Sequence, residues 1–309
     1  MLSSVPLIDF SAYDPDNSQI MAGLAAAVDH ALSTSGFMAV QNIGISRSEL
    51  QQVFADSRAF FNADDSTKRR SAYQSAAENF GYQGMAEESL DPSAPADLKE
   101  TFTMRNVLAR APDDSRWPST DFQARMRRFY ANCLDAAFRL QRVLATALKL
   151  PADFFVDCHS GENVTLRLLH YPSVRKKDVA DRQLGAGAHT DYGLLTLLFQ
   201  DGTRGLEIKA ADETWQALDA DPNTILINSG DLLERWTNGR YRSTLHRVAP
   251  QVECAERQSI AMFVDPDSAT EVAVLASCLG PDESPRYPPT SAAEHLQARI
   301  EATHKAMAQ

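Results

Sequence analysis

His189 and Asp191 stand one residue apart, and His246 follows 55 residues after Asp191. On a β-strand successive side chains alternate faces, so positions i and i+2 point the same way and can grip one ion. A third ligand from so far along the chain must come from another strand, which a barrel brings back alongside. Two imidazoles and a carboxylate are the ligand set of a mononuclear non-haem Fe(II) site. Three protein ligands fill one face of an octahedron and leave the other positions open. A hydrolytic zinc centre can use the same ligands, so the triad alone leaves both metals open.

The stretch that follows favours iron. Arg257-Gln258-Ser259 begins eleven residues beyond His246 and leads into the apolar run Ser259–Val264. On a strand Arg257 and Ser259 share a face, and a guanidinium beside a hydroxyl makes a clamp for a carboxylate. A charged side chain on an otherwise apolar strand is costly without a partner. A zinc hydrolase would leave this pair without a role, whereas a keto acid chelated to iron would place its far carboxylate on it.

The rest of the chain has two textures. The first half reads as a short strand at 5–10, a helix over 17–34, a strand at 36–40 and a helix opened by Ser46 and Glu49. The longest helix spans 119–150: Phe122, Met126, Phe129, Cys133, Ala137, Leu140, Leu144 and Leu148 recur at helical spacing, and Pro151 stops it. From Asn163 the pattern changes to short apolar runs at 164–171, 193–200, 205–209, 214–218, 224–228, 243–249 and 258–265, broken by Gly, Asp, Asn and Pro. Such runs predict a sandwich or barrel, not a βαβ array. Segment 291–308 reads as a closing helix, and the acidic segment 85–99 as a surface loop that is a candidate substrate lid.

With these stretches in place, the chain resembles the Fe(II)/2-oxoglutarate-dependent dioxygenases of the isopenicillin N synthase-like group. GAHTDYGLLTLLFQDGTRGLEI (187–208), NSGDLLERWTNGRYRSTLHRV (228–248) and RQSIAMFVDPD (257–267) carry the resemblance, and VPLIDFS (5–11) and RLLHYPS (167–173) agree with it. The resemblance implies a mainly β fold with flanking helices: a double-stranded β-helix (jelly roll, 158–268) behind an N-terminal α/β region (1–118) and a supporting helix (119–157), closed by segment 269–309. It implies Fe(II) on His189, Asp191 and His246, and 2-oxoglutarate on Arg257 and Ser259 with help from Tyr171. O2 would be the second co-substrate, with ascorbate as a reductant. Oxidative decarboxylation to succinate and CO2 would then be coupled to hydroxylation, desaturation or cyclisation of a small organic substrate.

In one respect the sequence departs from the family. Leu169 stands where relatives commonly carry Asn, which makes the pocket floor more apolar and puts part of the expected hydrogen bonding in doubt. Tyr192, Phe102, Phe263 and Leu206 are candidate substrate contacts. His170 points away from Tyr171 and reads as a structural histidine. Gly193, Gly205, Gly230 and Gly239 read as turn residues.

Three rival readings stay open. An oxidase related to isopenicillin N synthase uses the same triad and clamp without 2-oxoglutarate. An ethylene-forming enzyme fragments the keto acid itself. A jelly roll that has lost catalysis would be a binding module. The primary substrate is not legible, because specificity sits in loops of no fixed pattern.

Charge and composition exclude other classes. A formal net charge of −11 argues against nucleic acid, whose phosphates need clustered Lys and Arg. The N-terminus lacks the basic and apolar regions of a signal peptide, and no apolar run reaches the ~20 residues of a membrane span. The four cysteines, scattered without a C-x-x-C pair, read as reduced thiols. The expectation is a cytoplasmic enzyme acting on a small molecule, without nucleic-acid or membrane partners.

Overall fold

The apolar stripe of the longest helix becomes the spine of the molecule. In a computed structural model that describes residues 5–91, 93–111, 114–218 and 221–307, every residue of that stripe is buried. Before it come β1 (Leu7–Asp9), α1 (Ser18–Thr34), β2 (Phe37–Gln41), α2 (Arg47–Phe61), α3 (Asp65–Arg69), β3 (Phe80–Gln83) and β4 (Glu100–Arg105). The spine itself is α4 (Thr120–Ala147). Asn17 caps α1 by accepting from the backbone N–H groups of Gln19 and Ile20. Ser46 caps α2 through Glu49 N–H, but the Glu49 carboxylate turns to Asn132 of α4 instead of closing the expected box. α4 ends before Pro151 because Lys149 adopts a left-handed conformation (φ 58°).

The later strands follow the predicted runs: β5 (Thr165–Tyr171), β6 (Ala186–His189), β7 (Leu195–Gln200), β8 (Leu206–Lys209), β9 (Trp215–Ala217), β10 (Ile225–Ser229), β11 (His246–Val248) and β12 (Arg257–Val264). Helix α5 (Asp231–Trp236) sits between β10 and β11, and β13 (Glu271–Val272), β14 (Thr290–Ser291) and α6 (Ala292–Met307) close the chain. An eight-stranded sheet, ordered β1-β2-β10-β7-β12-β5-β4-β3, faces a four-stranded sheet, β6-β11-β8-β9. All pairs are antiparallel except β1 with β2. This is the expected jelly roll with flanking helices.

Alternation divides the large sheet into two environments. One face, carrying Leu166, Leu168, Leu197, Ile227, Ile260 and Met262, packs on α1, α2 and α4 in the main core. The other carries Leu169, Tyr171, Leu226 and Ala261 and meets Ala186, Leu206, Ile208 and Val248 of the small sheet. Among the predicted functional residues, Tyr171, Arg257, Ser259, Leu206 and Phe263 lie on that second, inner side. Phe102 does not. It pairs with Leu168 on the outer face and packs among Phe60, Phe80, Trp117 and Phe122, so its expected substrate contact is corrected to core packing.

Candidate metal centre and co-substrate clamp

β11 returns beside β6 in the register that sets His246 directly opposite His189. Asp191 follows two residues after the end of β6, its carbonyl accepting from Asp231 N–H at 2.8 Å. Two glycines allow this tight crossing. A Cβ on Gly230 would lie 2.4 Å from the Gly193 carbonyl oxygen, and one on Gly193 1.7 Å from Asp265 Oδ1. Close approach is their reason, whereas Gly205 (φ 144°) and Gly239 (φ 82°) are turns with positive φ.

His189 Nδ1 donates to the Gly187 carbonyl at 2.7 Å, and His246 Nδ1 to that of Thr244 at 3.0 Å. A carbonyl can only accept, so each bond fixes a proton on Nδ1 and makes Nε2 the nitrogen available to a metal. Both Nε2 atoms lie 3.8 Å from Asp191 Oδ1, and the ligand atoms of all three residues lie within 4.8 Å of one another. The second carboxylate oxygen, Oδ2, accepts from Thr196 Oγ1 at 2.5 Å and Asn228 Nδ2 at 2.7 Å. One oxygen is anchored and the other is left for an ion.

The electrostatics agree. Burial, reinforced by His246, pushes the His189 pKa well down and keeps that imidazole neutral. Burial acts to raise the Asp191 pKa, but the two imidazoles and the Thr196 and Asn228 hydrogen bonds outweigh it and hold the carboxyl below its usual range. A neutral imidazole and an ionised carboxylate are the forms that bind metal. Thr196→Val is expected to lower Fe(II) affinity roughly 10–100-fold, the usual cost of an outer-shell partner. Competition with a chromogenic chelator measures it, and wild-type affinity would mean that Asp191 needs no orienting bond.

Toward the other end of β12, Arg257 is 1% exposed. Nη1 donates to Ser259 Oγ at 3.2 Å and Nη2 to Gln200 Oε1 at 2.9 Å, while Nε, also buried, has no partner. Both partners are neutral, and no carboxylate pairs with Arg257 among the described residues. A buried guanidinium without a counter-ion is strongly disfavoured, so the site calls for an anion. The guanidinium lies 4.9 Å from the Tyr171 ring centroid, and Leu169 sits across from Ser259 as the apolar floor.

The remaining candidates separate. Phe263 lies on the inner face opposite Thr196, the hydroxyl that anchors Asp191. Leu206 packs with Tyr171 and Val248 in the inner cluster. Tyr192 lies beneath Arg299 of α6, which is 4.9 Å from its ring and donates to Thr190 at 2.8 Å. His170 is on the outer face, hydrogen-bonded to Glu100 at 3.0 Å and Glu256 at 3.1 Å.

Sequence reasoning missed Thr196 and Gln200 as partners of the site. Their signal was two polar residues four apart, on one face of an apolar strand. It also missed a buried charge cluster linking segment 85–99 to the barrel. Glu88 accepts from Arg167 at 2.8 Å and pairs with Lys99 at 3.1 Å, and Lys99 also pairs with Asp97. Asp97 in turn accepts from Gly187 N–H at 2.9 Å, on the strand that carries His189.

Comparison with known proteins agrees with this geometry. The family model for the 2OG-Fe(II) oxygenase superfamily matches residues 162–266, and that for the N-terminal region of non-haem dioxygenases in morphine synthesis matches 5–123. A proline hydroxylase of Petromyces alliaceus is 34% identical over 280 residues, covering 83% of this chain and 86% of the relative. A full-length Neurospora crassa protein, solved with 2-oxoglutarate and thymine, superposes with a TM-score of 0.86 at 29% identity over 97% of each chain. A 2OG-Fe(II) oxygenase family protein of Caulobacter crescentus gives 0.82 at 27% identity, over 98% of this chain and 99% of its own. With a His-Asp-His triad and, among the described residues, a buried arginine paired with no carboxylate inside a jelly roll, the chain belongs to the 2OG-Fe(II) oxygenase superfamily and is an Fe(II)- and 2-oxoglutarate-dependent dioxygenase.

Proposed function

We propose that His189, Asp191 and His246 hold Fe(II) and that Arg257 and Ser259 hold the C5 carboxylate of 2-oxoglutarate, with Gln200 and Tyr171 fixing the guanidinium. The observation that carries this reading is Arg257, buried in the same inner space as the triad with no anionic partner among the described residues. Iron and 2-oxoglutarate, when bound, supply activation of O2 for substrate oxidation, with release of succinate and CO2. The chain's own contribution is placement. Gly187 and Thr244 carbonyls accept from Nδ1 and so turn both Nε2 atoms toward Asp191, Thr196 and Asn228 steer one Asp191 oxygen inward, and the inner apolar residues exclude water from the reacting centre.

The primary substrate on this reading is a small polar molecule. The names of two relatives supply probes, thymine and L-proline. A cytoplasmic setting belongs to the same proposal: Cys133, Cys158, Cys254 and Cys278 are free thiols, which suits a reducing compartment. Among the described residues no helix is long and apolar enough to cross a membrane.

Anaerobic titration of the apo-protein with Fe(II), then 2-oxoglutarate, tests the assignment. The expected result is a weak visible charge-transfer band that grows with 2-oxoglutarate and is lost in Asp191→Ala. Iron binding without that band would instead favour an oxidase that does not use 2-oxoglutarate.

A further inference from the structure

The strand that delivers His189, β6, lies at the edge of the small sheet with β11 as its neighbour. Its register there slips. Ala186 pairs with Val248 and His189 with His246, three steps along β6 against two along β11. The slip falls at Gly187 and Ala188, where the ladder no longer fixes the backbone. Glycine adds conformational freedom of its own. Yet the Gly187 carbonyl is the group that accepts from His189 Nδ1 and so aims a metal ligand. A hold from outside the sheet is needed.

Segment 85–99 supplies it. Asp97 is buried, and its Oδ1 accepts from Gly187 N–H at 2.9 Å. Its Oδ2 pairs with Lys99 and accepts from Leu90 N–H at 3.3 Å. The backbone follows the same path. Asp97 N–H donates to the Glu88 carbonyl and Leu98 N–H to that of Leu184, each at 2.9 Å. Arg182 and Gln183 donate to the carbonyls of Ser93 and Ala96 at 2.7 and 2.8 Å. Asp91 comes so close that a Cβ on Gly187 would lie 2.7 Å from its backbone nitrogen. Neutralising Lys99 does not account for Asp97, because Lys99 has a second carboxylate in Glu88 at 3.1 Å. What Asp97 alone provides is an acceptor at the slipped point of β6.

We propose that Asp97 is a positioning residue for His189, acting through Gly187, and that segment 85–99 is by this route a mechanical part of the metal centre. This rests on the iron reading above. The carboxylate fixes Gly187 N–H, the fixed residue presents its carbonyl to Nδ1, and the imidazole turns Nε2 toward Asp191. Coupling between two binding events is reciprocal. A docked segment that tightens iron is itself docked more tightly, by the same factor, once iron is bound.

Two anaerobic measurements on the full chain test it: Fe(II) affinity by competition with a chromogenic chelator, and backbone hydrogen exchange over 85–99 with and without Fe(II). In the wild type, saturating Fe(II) should slow exchange in this segment roughly 5-fold or more, the lower end of ordinary coupling between sites. Asp97→Ala should weaken Fe(II) roughly 10–100-fold, as loss of an outer-shell partner does, and abolish the iron-dependent slowing. Asp97→Asn keeps an oxygen for Gly187 N–H and should restore most of the affinity. The wild-type exchange measurement needs no variant, so it decides even where Asp97→Ala folds poorly. Unchanged exchange over 85–99 at saturating Fe(II), or wild-type affinity in Asp97→Ala, overturns the proposal. An Asp97→Asn variant no better than Asp97→Ala does so too, since it assigns the loss to charge and not to the Gly187 bond. Wild-type protein that binds no Fe(II) instead overturns the metal reading beneath it.

Discussion

Asp191→Ala is expected to abolish iron-dependent formation of succinate, with a loss exceeding the roughly 10–100-fold that removing an outer-shell partner costs. Asp191 is the only carboxylate among the grouped ligands, and its Oδ1 is the atom both imidazoles face at 3.8 Å. Without it, two neutral nitrogens meet a divalent cation with no compensating charge. The substitution also strands the Thr196 hydroxyl and the Asn228 amide, at about 1–3 kcal/mol each if neither finds water. That is bearable for a domain stable by ~5–15 kcal/mol, so the variant should fold with a lowered Tm and bind little iron. Bound iron and succinate release are the two readouts. A variant that keeps a tenth of wild-type turnover would remove Asp191 from the ligand set.

Legibility in the sequence followed burial. β12 was visible because Ser259–Val264 is apolar on both faces, being covered by helices on one side and by the small sheet on the other. β4 was not, because its inner face is Thr101, Thr103 and Arg105, which give no apolar signal. The same blindness sent Phe102 to the wrong side: without the strand, nothing said that its neighbours Thr101 and Thr103 faced inward and that it faced the helices. β6 escaped for a different reason. Ala186-Gly187-Ala188-His189 has too little side chain to show periodicity, and its smallness lets Asp91 and Asp97 approach Gly187.

The triad and clamp were legible because their chemistry is dense and their spacing short. The residues that make them work were not. Thr196, Gln200 and Asn228 look like ordinary polar residues in strands until β7, β10 and β12 are laid side by side. Only then does Thr196 meet Asp191 and Gln200 meet Arg257. Outer-shell partners are defined by register, and register is a property of paired strands.

Arg257→Ala should leave iron binding close to wild type and raise the apparent dissociation constant for 2-oxoglutarate steeply. Truncating one side of a buried, hydrogen-bonded charge pair costs about 2–5 kcal/mol, on the order of 30- to several-thousand-fold in affinity. The large end applies here, because Arg257 is 1% exposed and water cannot take its place on the carboxylate. Ser259 and Gln200 would remain, but Gln200 Oε1 now accepts from the guanidinium and would turn a lone pair toward the anion. Arg257→Lys should recover only part of the loss, since one ammonium cannot reproduce the two-pronged contact. Because the arginine has no carboxylate partner among the described residues, relief of its desolvation offsets the cost of stranding Gln200 Oε1 and Ser259 Oγ, and the Tm should change little. Loss of keto-acid affinity together with preserved stability is the signature of a binding residue. Unchanged affinity, or a collapse of Tm, would return Arg257 to a structural role and open the clamp to a carboxylate of the primary substrate.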